Sequence, residues 1–186
     1  MRIISGYLKG KSIIFLKNSN TRPLKDSVKE NIFNILKHSN LIDINIEKAN
    51  ILDLYSGIGS FGIECISRGA EKVTFVEKDP SAINILKKNL DQLSIINKIK
   101  IFNNKIEDIL KNNIKEKFNI FFLDPPFADS NFILNLELIK KNKIFKTKHI
   151  VIIHREKKSY DKLENVIETV EIKQYGRSKI IFGLFN

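Results

Sequence analysis

Short apolar runs alternate along most of the chain with longer segments in which apolar residues recur every three or four positions. From residue 50 onward, the predicted strands are NILDLY, KVTFVE, KIKIFN, FNIFFL and HIVIIH. Helical patterns follow them over about 59–69, from Pro80, over about 105–113, over about 131–142 and, weakly, over about 157–164. Five strand–helix units with strands this apolar predict a parallel sheet that is covered by helices on both faces.

The two ends of the chain carry different patterns. Residues 166–176 and 178–185 are joined only by the short turn YGRS, which predicts an antiparallel hairpin. At the other end, RIIS and SIIF flank GYLKGK and predict a second hairpin, which is followed by a helix. The expected fold is therefore α/β, with a seven-stranded and mostly parallel sheet. A polar stretch separates a predicted N-terminal hairpin–helix extension, residues 1–46, from the main domain, residues 47–186.

Charge and composition narrow the class of protein. The 186 residues carry a formal net charge of +11, which favours nucleic acid as a partner, although an abundance of Ile, Lys and Asn explains the same charge by composition. The single cysteine, Cys65, lies in a helical apolar pattern, as a packed thiol does, and a reducing compartment suits it. Because no apolar stretch approaches the length of a membrane span, we expect a cytoplasmic protein without membrane contact.

A glycine-rich turn follows the first strand of the main domain. Gly57, Gly59 and Gly62 stand between that strand and a helix, as in nucleotide-binding turns where the backbone approaches the ligand closely. Glu77 ends the second strand, which is the position of an acid that binds the ribose hydroxyls of an adenosine cofactor. Either a dinucleotide or S-adenosylmethionine fits this turn.

Asp53 favours S-adenosylmethionine over a dinucleotide. Its charge would repel a pyrophosphate and attract the α-amino and sulfonium groups of S-adenosylmethionine. The alternative is that Asp53 only fixes the loop by accepting hydrogen bonds from backbone N–H groups.

The stretch DPPF, residues 124–127, follows the fourth strand and should face the same crevice, because ligands of open α/β sheets bind beyond the carboxyl ends of the strands. Two prolines remove two N–H donors, so backbone carbonyls beside Asp124 would leave a surface that only accepts hydrogen bonds. Such a surface suits the exocyclic amine of a nucleobase, with Phe127 stacked on the ring. Asp124 and the Pro125 carbonyl would bind the amine, and Asp124 would take its proton after methyl transfer.

With both motifs in place, the chain resembles the class I S-adenosylmethionine-dependent methyltransferases, which have a Rossmann-like fold, and within them the RsmD family. The resemblance covers nearly the whole chain and rests on MRIISGYLKGK, TRPLKDSVKENIFNIL, LDLYSGIGSFGIECISRGA, FVEKD, FLDPPF and YGRSKIIFGLF. It implies methyl transfer to the exocyclic N2 of one guanine in 16S ribosomal RNA, free or within a partly or fully assembled 30S particle. It also implies a monomer.

The resemblance further implies a role for each matching position. The cofactor would be bound by Asp53, Ser56, Gly57, Gly59, Gly62, Glu77, Lys105 and Ile106. The guanine would be bound by Asp124, Pro125, Pro126 and Phe127. RNA phosphates would be contacted by Arg2, Lys9, Lys11, Arg22 and Arg68.

Three positions depart from the family pattern. Lys105 stands where relatives often carry a small acidic or amide residue, and Phe127 lacks the hydroxyl of a tyrosine. His154 stands where an acid is common, and we expect it to be a surface residue at a strand end. His38 and His149 have no partners at metal-ligand spacing, so no metal site is predicted.

Other functions remain open at this stage. DNA adenine-N6 methyltransferases also carry Asp-Pro-Pro-aromatic, but they normally have a separate target-recognition domain. Enzymes that methylate protein glutamine would have Asn at position 124. A non-catalytic RNA-binding protein with this fold would show an eroded cofactor loop, and a nicotinamide oxidoreductase is opposed by Asp53.

Overall fold

The computed structural model describes residues 1–15, 24–95, 97–112 and 114–186. In chain order its elements are α1 (Asp26–His38), β1 (Asn50–Leu54), α2 (Ser60–Ser67), β2 (Lys72–Val76), α3 (Pro80–Gln92), β3 (Ile99–Phe102), α4 (Ile106–Asn112), β4 (Phe118–Leu123), α5 (Phe132–Lys141), β5 (Phe145–Glu156), β6 (Ile167–Tyr175) and β7 (Ser178–Phe185). Among these described residues, no helix is both long enough and apolar enough to cross a membrane.

The strands form one seven-stranded sheet in the order β3-β2-β1-β4-β5-β7-β6. The first five strands are parallel, and β7 runs antiparallel to both β5 and β6. The predicted α/β class, the parallel sheet and the C-terminal hairpin are confirmed. The chain leaves β1 toward β2 and later returns to its other side as β4, so the topological switch point lies between β1 and β4. Ligands of open α/β sheets bind beyond the carboxyl ends of the strands at this point.

Alternating side chains of the strands build a core on each face of the sheet. Ile51 and Phe122 belong to one cluster, which includes apolar residues of α1, α2 and α3. Leu52 and Phe121 belong to the other, which includes residues of α4 and α5. Phe61 of α2 stacks on Phe122 with ring centroids 4.0 Å apart. The helices on both sides therefore fix the strand ends that border the switch point.

The N-terminal segment forms a short and irregular hairpin that packs on α2: the N–H groups of Ile3 and Ile13 donate to the carbonyls of Lys11 and Met1. A single antiparallel bridge joins Arg2 to Ser12, and residues 5–10 are turns and bends. The backbone N–H groups of Ile4 and Ser5 donate to the Glu64 carboxylate of α2 at 2.8 and 2.9 Å. A hairpin ladder does not extend because α2 takes these donors instead.

Residues 1–15, which belong to the predicted N-terminal extension, pack against the main domain. Ile3, Leu8 and Ile13 are buried in the same cluster as α1 and α2. The extension thus shares a core with the sheet, and the boundary between residues 46 and 47 stays a prediction from sequence alone.

The weak helical pattern at 157–164 was interpreted wrongly. The chain there forms turns and irregular structure, while β5 continues to Glu156 and pairs with β7 as far as Ser178. The backbone N–H of Lys157 then donates to the Arg177 carbonyl at 2.8 Å. Backbone groups after β5 are therefore engaged across the β7 edge instead of within a helix.

Candidate active site

A cavity of about 680 Å³ opens at the carboxyl ends of the central strands. The predicted site residues that line it are Asp53, Ser56, Gly57, Glu77, Lys105, Ile106, Asp124, Pro125, Pro126 and Phe127. The glycine-rich turn and the DPPF stretch are thus brought to one cavity, as expected from the switch point. Gly59 and Gly62 are not among the residues that line it.

The three glycines of the turn have different structural roles. Gly57 has φ +53° and open space around the position of a Cβ, whereas Gly59, with φ +83°, precedes α2 at its N-terminus. A Cβ on Gly62 would lie 2.3 Å from the Phe75 ring. Gly57 therefore borders the cavity, and Gly62 allows α2 to pack closely on β2.

Asp53 brings a buried carboxylate to the cavity. It is 1% exposed, and its Oδ2 accepts a hydrogen bond from the Gly62 N–H at 3.0 Å. Among the described residues, nothing donates to its other oxygen, Oδ1, and the buried hydroxyl of Ser56 also has no partner there. Burial raises the pKa of Asp53 well above its usual range, and the charges of Asp124 and Glu77 add to this. An oxygen without a donor in a negative environment suits a cationic N–H donor.

Backbone donors hold Glu77 at the end of β2. Its Oε2 accepts from the Gly57 N–H at 2.9 Å, and its Oε1 accepts from the N–H groups of Lys78 and Asp79 at 2.8 and 2.9 Å. These contacts fix the carboxylate beside the glycine turn. Each carboxylate oxygen can accept more than one hydrogen bond, so Glu77 retains capacity for hydroxyl donors.

Asp124 pairs with a histidine that the sequence analysis placed on the surface. The ring Nδ1 of His154 lies 2.8 Å from Asp124 Oδ1. His154 is 5% exposed, lines the cavity and contacts the Phe127 ring edge to face at 5.9 Å between centroids. The expectation of a surface residue is wrong because β4 and β5 are adjacent and Leu123 pairs with Ile153, which places the residues that follow side by side.

Arg155 holds the backbone of the DPPF stretch. Its guanidinium donates to the carbonyls of Pro126 and Phe127, at 3.1 Å each, and forms an ion pair with Asp161 at 3.0 Å. Arg155 is 3% exposed. The expectation that the carbonyls after both prolines face the crevice is therefore wrong for Pro126. The Pro125 carbonyl remains the candidate acceptor beside Asp124.

Tyr55 connects the glycine turn to the region after DPPF, and the sequence analysis did not assign it a role. It has φ +56°, and its hydroxyl accepts from the Asn135 side chain of α5 at 2.9 Å. Burial raises the pKa of Tyr55, and the charge of Asp129 and a hydrogen bond to its carboxylate add to this. The signal in the sequence was an aromatic residue directly before SGIG, at a position that requires positive φ.

The predicted RNA-contacting residues differ in their surroundings. Arg2, Lys9 and Lys11 are exposed on the N-terminal segment. Arg22 lies outside the described residues. These three exposed cations keep their predicted role as an expectation.

Arg68 does not fit that role. Its Nε donates to Glu64 Oε1 at 2.9 Å, its guanidinium lies 4.2 Å from the centre of the Phe33 ring, and its side chain is 16% exposed. The guanidinium therefore serves the contact between α2 and α1. Across the ranges that the structure describes, no cluster of His, Cys, Asp and Glu could hold a metal ion.

Comparisons with known proteins give a consistent relationship. The family model described as Conserved hypothetical protein 95 matches residues 1–183. Ribosomal RNA small subunit methyltransferase D of Haemophilus influenzae is 35% identical over 159 residues, which are 84% of this chain and 79% of that protein. The protein of the same name from Buchnera aphidicola is 35% identical over 156 residues, covering 84% and 76%. A solved structure from Escherichia coli described as "Putative methyltransferase yhhF" has a TM-score of 0.81 at 25% identity and covers 100% of this chain and 97% of that chain.

Proposed function

This chain belongs to the RsmD family, matched by the family model of Conserved hypothetical protein 95, and from that membership we propose that it transfers a methyl group from S-adenosylmethionine to the exocyclic N2 of a guanine in small-subunit ribosomal RNA. One observation carries the proposal. Asp53, a buried carboxylate with one oxygen to which no described residue donates, and Asp124, the carboxylate of the acceptor motif, line the same cavity.

The cofactor half of the cavity fits S-adenosylmethionine. Asp53 Oδ1 would accept a hydrogen bond from its α-amino group, and this contact would relieve the burial of the charge. Glu77, fixed by three backbone N–H groups, would accept from the ribose hydroxyls. Lys105 and Ile106 border the cavity where the adenine would bind. When bound, S-adenosylmethionine supplies an electrophilic methyl group.

The other half of the cavity fits a planar base with an NH2 group. Asp124 and the Pro125 carbonyl would accept one N–H each, which turns the nitrogen lone pair out of conjugation with the ring and toward the methyl group. Phe127 lines the same wall and would stack on the base. As the nitrogen–carbon bond forms and the sulfur–carbon bond breaks, Asp124 would accept the proton that the nitrogen loses.

The RNA would approach over the N-terminal segment. Arg2, Lys9 and Lys11 are exposed there, and Met1 and Phe15 of the same segment line the cavity. These cations would contact phosphates around the target guanine. We propose that the substrate is ribosomal RNA, free or within a 30S particle, and that the chain acts as a monomer in the cytoplasm.

Mass spectrometry of nucleosides from a strain that lacks the gene tests the proposal. Small-subunit ribosomal RNA should lose one N2-methylguanosine, and the gene supplied in trans should restore it. A plasmid that carries Asp124→Ala should not restore it and is the matched control. If the RNA modifications are unchanged and DNA loses N6-methyladenine, the DNA adenine assignment replaces this one.

A further inference from the structure

We propose that His154 is a positioning residue for methyl transfer. In this role its ring Nδ1–H holds Asp124 Oδ1, so that Oδ2 is presented to the acceptor amine. The inference rests on the proposed function, because it assigns Asp124 to the amine. Its structural part, the state of the imidazole ring, can be measured without any substrate.

The geometry of the pair comes from the sheet. β4 and β5 are parallel neighbours, and their register places Asp124 and His154 directly after the paired residues Leu123 and Ile153. The resulting distance from His154 Nδ1 to Asp124 Oδ1 is 2.8 Å. Of the side chains that the structure describes, His154 alone donates a hydrogen bond to Asp124. A donor mounted on a strand holds its acceptor more rigidly than one on a loop.

Because other carboxylates surround Asp124, a hydrogen-bond donor is needed to fix its orientation. The two carboxylates Asp53 and Asp124 line one cavity, and the charge of Asp124 contributes to the raised pKa of Asp53. Without the hydrogen bond from His154 to Oδ1, the Asp124 carboxylate would be free to turn away from Asp53 and from the amine. The nearby Arg155 cannot replace His154, because its guanidinium is engaged by Asp161 and by carbonyls of the DPPF stretch.

The contact also defines the tautomer of the ring. An ionised carboxylate only accepts hydrogen bonds, so Nδ1 must carry the proton. His154 Nε2 is buried and has no partner among the described residues. The proposal therefore predicts that Nδ1 carries a proton in the free protein.

Two substitutions of similar shape separate the hydrogen bond from simple packing. In His154→Asn the side-chain nitrogen falls close to the position of Nδ1 and can still donate to Asp124, whereas His154→Leu cannot donate. We expect His154→Leu to lower kcat by about 10- to 100-fold, with KM for S-adenosylmethionine nearly unchanged, because only the acceptor site loses its geometry. His154→Asn should recover most of the lost kcat. Equal activity of the two variants would overturn the proposal.

His149 provides a matched control on the same strand. It is also buried, and its Nε2 accepts a hydrogen bond from the Phe185 N–H at 2.9 Å, at the end of β5 remote from the cavity. His149→Leu should lower the melting temperature and leave kcat unchanged. If His149→Leu lowered kcat as much as His154→Leu does, general destabilisation of β5 would explain both results and the proposal would fail.

Nitrogen-15 NMR of the histidine rings gives a readout that does not depend on activity. The chain has three histidines, so single substitutions assign every ring. His149 serves as an internal reference, because the Phe185 N–H fixes its Nε2 as an acceptor and leaves Nδ1 as the donor to the Lys146 carbonyl. His154 should likewise carry a proton on Nδ1 in the free protein, and Asp124→Ala should change its Nδ1 resonance. A His154 ring that carries no proton on Nδ1 would contradict the proposal.

The two experiments also distinguish this inference from the proposed function. If the wild-type protein methylates no guanine N2 but His154 shows the Nδ1–H tautomer, the proposed reaction fails while the Asp124–His154 contact stands. If guanine N2 is methylated and the leucine and asparagine variants are equally active, the reaction stands and the positioning role is wrong.

Discussion

Asp53 shows how a single side chain can link ligand binding to stability. Its carboxylate is buried, accepts one backbone hydrogen bond and lies in a cavity that other acids also line, among them Asp124 and Glu77. Burial and these neighbours raise its pKa well above the usual value. The charged form is therefore unfavourable in the free protein, and a cationic ligand group would relieve this.

Asp53→Asn should stabilise the free protein and weaken cofactor binding. A carboxyl group with a raised pKa in the folded state lowers stability as pH rises from its unfolded pKa through its folded pKa. The asparagine variant lacks this penalty but can still accept from the Gly62 N–H. Its melting temperature should exceed that of the wild type at neutral pH, and the difference should vanish in acid, below the ordinary pKa of aspartate.

Calorimetric titration of Asp53→Asn with S-adenosylmethionine measures the effect on cofactor binding. Affinity for S-adenosylmethionine should fall by about tenfold or more, because the cationic α-amino group loses an anionic acceptor and keeps only a neutral one. If affinity and stability are both unchanged, Asp53 does not face the α-amino group, and its buried charge does not destabilise the free protein.

At the scale of elements, the N-terminal turn depends on a close approach to α2. Gly6 and Gly10 both have positive φ, +83° and +85°, but a Cβ on Gly6 would lie 1.7 Å from the Ser67 carbonyl oxygen, whereas a Cβ on Gly10 meets nothing within 4 Å. The N–H of Tyr7 donates to that same carbonyl at 2.9 Å. Gly6 is thus required for contact as well as for conformation.

Alanine substitutions at Gly6 and Gly10 separate the requirement for a left-handed backbone from the requirement for close contact with α2. Gly10→Ala should cost about 1–2 kcal/mol of unfolding free energy for the left-handed backbone. Gly6→Ala should cost about 1–3 kcal/mol more, because the turn must move off α2. Urea unfolding of both variants measures the difference, and equal losses would show that the turn is not docked on α2.

Arg155 and Asp161 connect β5 to the acceptor stretch as a buried ion pair, with side chains 4% and 7% exposed. Arg155→Met should lower the free energy of unfolding by about 3–5 kcal/mol, because it leaves the buried Asp161 carboxylate without its cation, with the Ser159 hydroxyl as a remaining donor. The double variant with Asp161→Asn should recover part of this loss. Chemical denaturation of the single and double variants gives the coupling, and strictly additive effects would contradict a direct pair.

The sequence predicted the elements whose signals are local and periodic. The five β–α units of the main sheet and the hairpin around Gly176 are confirmed, apart from the helix at 157–164. The N-terminal hairpin predicted from two β-rich runs forms only in part, because the N–H groups of Ile4 and Ser5 donate to Glu64, which is far away along the chain. The β-propensity of a short stretch of sequence does not reveal a hydrogen-bond acceptor that lies far away along the chain.

The site was predicted less completely than the fold. Strand order brings Asp53 and Asp124 to one cavity, and that could be inferred from alternating strands and helices. The burial of His154 and Arg155 depends on how far β5 extends and on which strand lies beside β4. A polar pair at the end of an apolar run resembles an exposed strand end, so the sequence alone pointed to the surface.

At the scale of the whole molecule, the comparisons confirm the family predicted from the sequence, and methylation of ribosomal RNA is what we propose from that membership. The choice of guanine N2 stays a proposal. The formal net charge of +11 agrees with a polyanionic substrate. The N-terminal segment carries exposed cations and also two residues, Met1 and Phe15, that line the cavity.

Salt dependence of RNA binding tests this arrangement of charge. Replacing Lys9 and Lys11 together by alanine should reduce the slope of log affinity against log salt by about 1–2, since each phosphate contact contributes about 0.7–0.9. Lys115 and Lys117 are exposed just before β4, at the amino ends of the parallel strands, whereas the cavity opens at their carboxyl ends; they provide the control pair and should leave the slope unchanged. Equal effects of the two pairs would mean that RNA binds without preference for the N-terminal segment.

The central claim is that Asp124 binds the acceptor amine beside the methyl donor. Asp124→Ala tests it most directly, with cofactor affinity measured by calorimetry and methyl transfer measured in a single turnover at saturating cofactor. We predict that affinity stays within about threefold of the wild type and that the transfer rate falls by at least about 100-fold. A variant that loses cofactor affinity but transfers methyl groups at the wild-type rate when saturated would contradict the account.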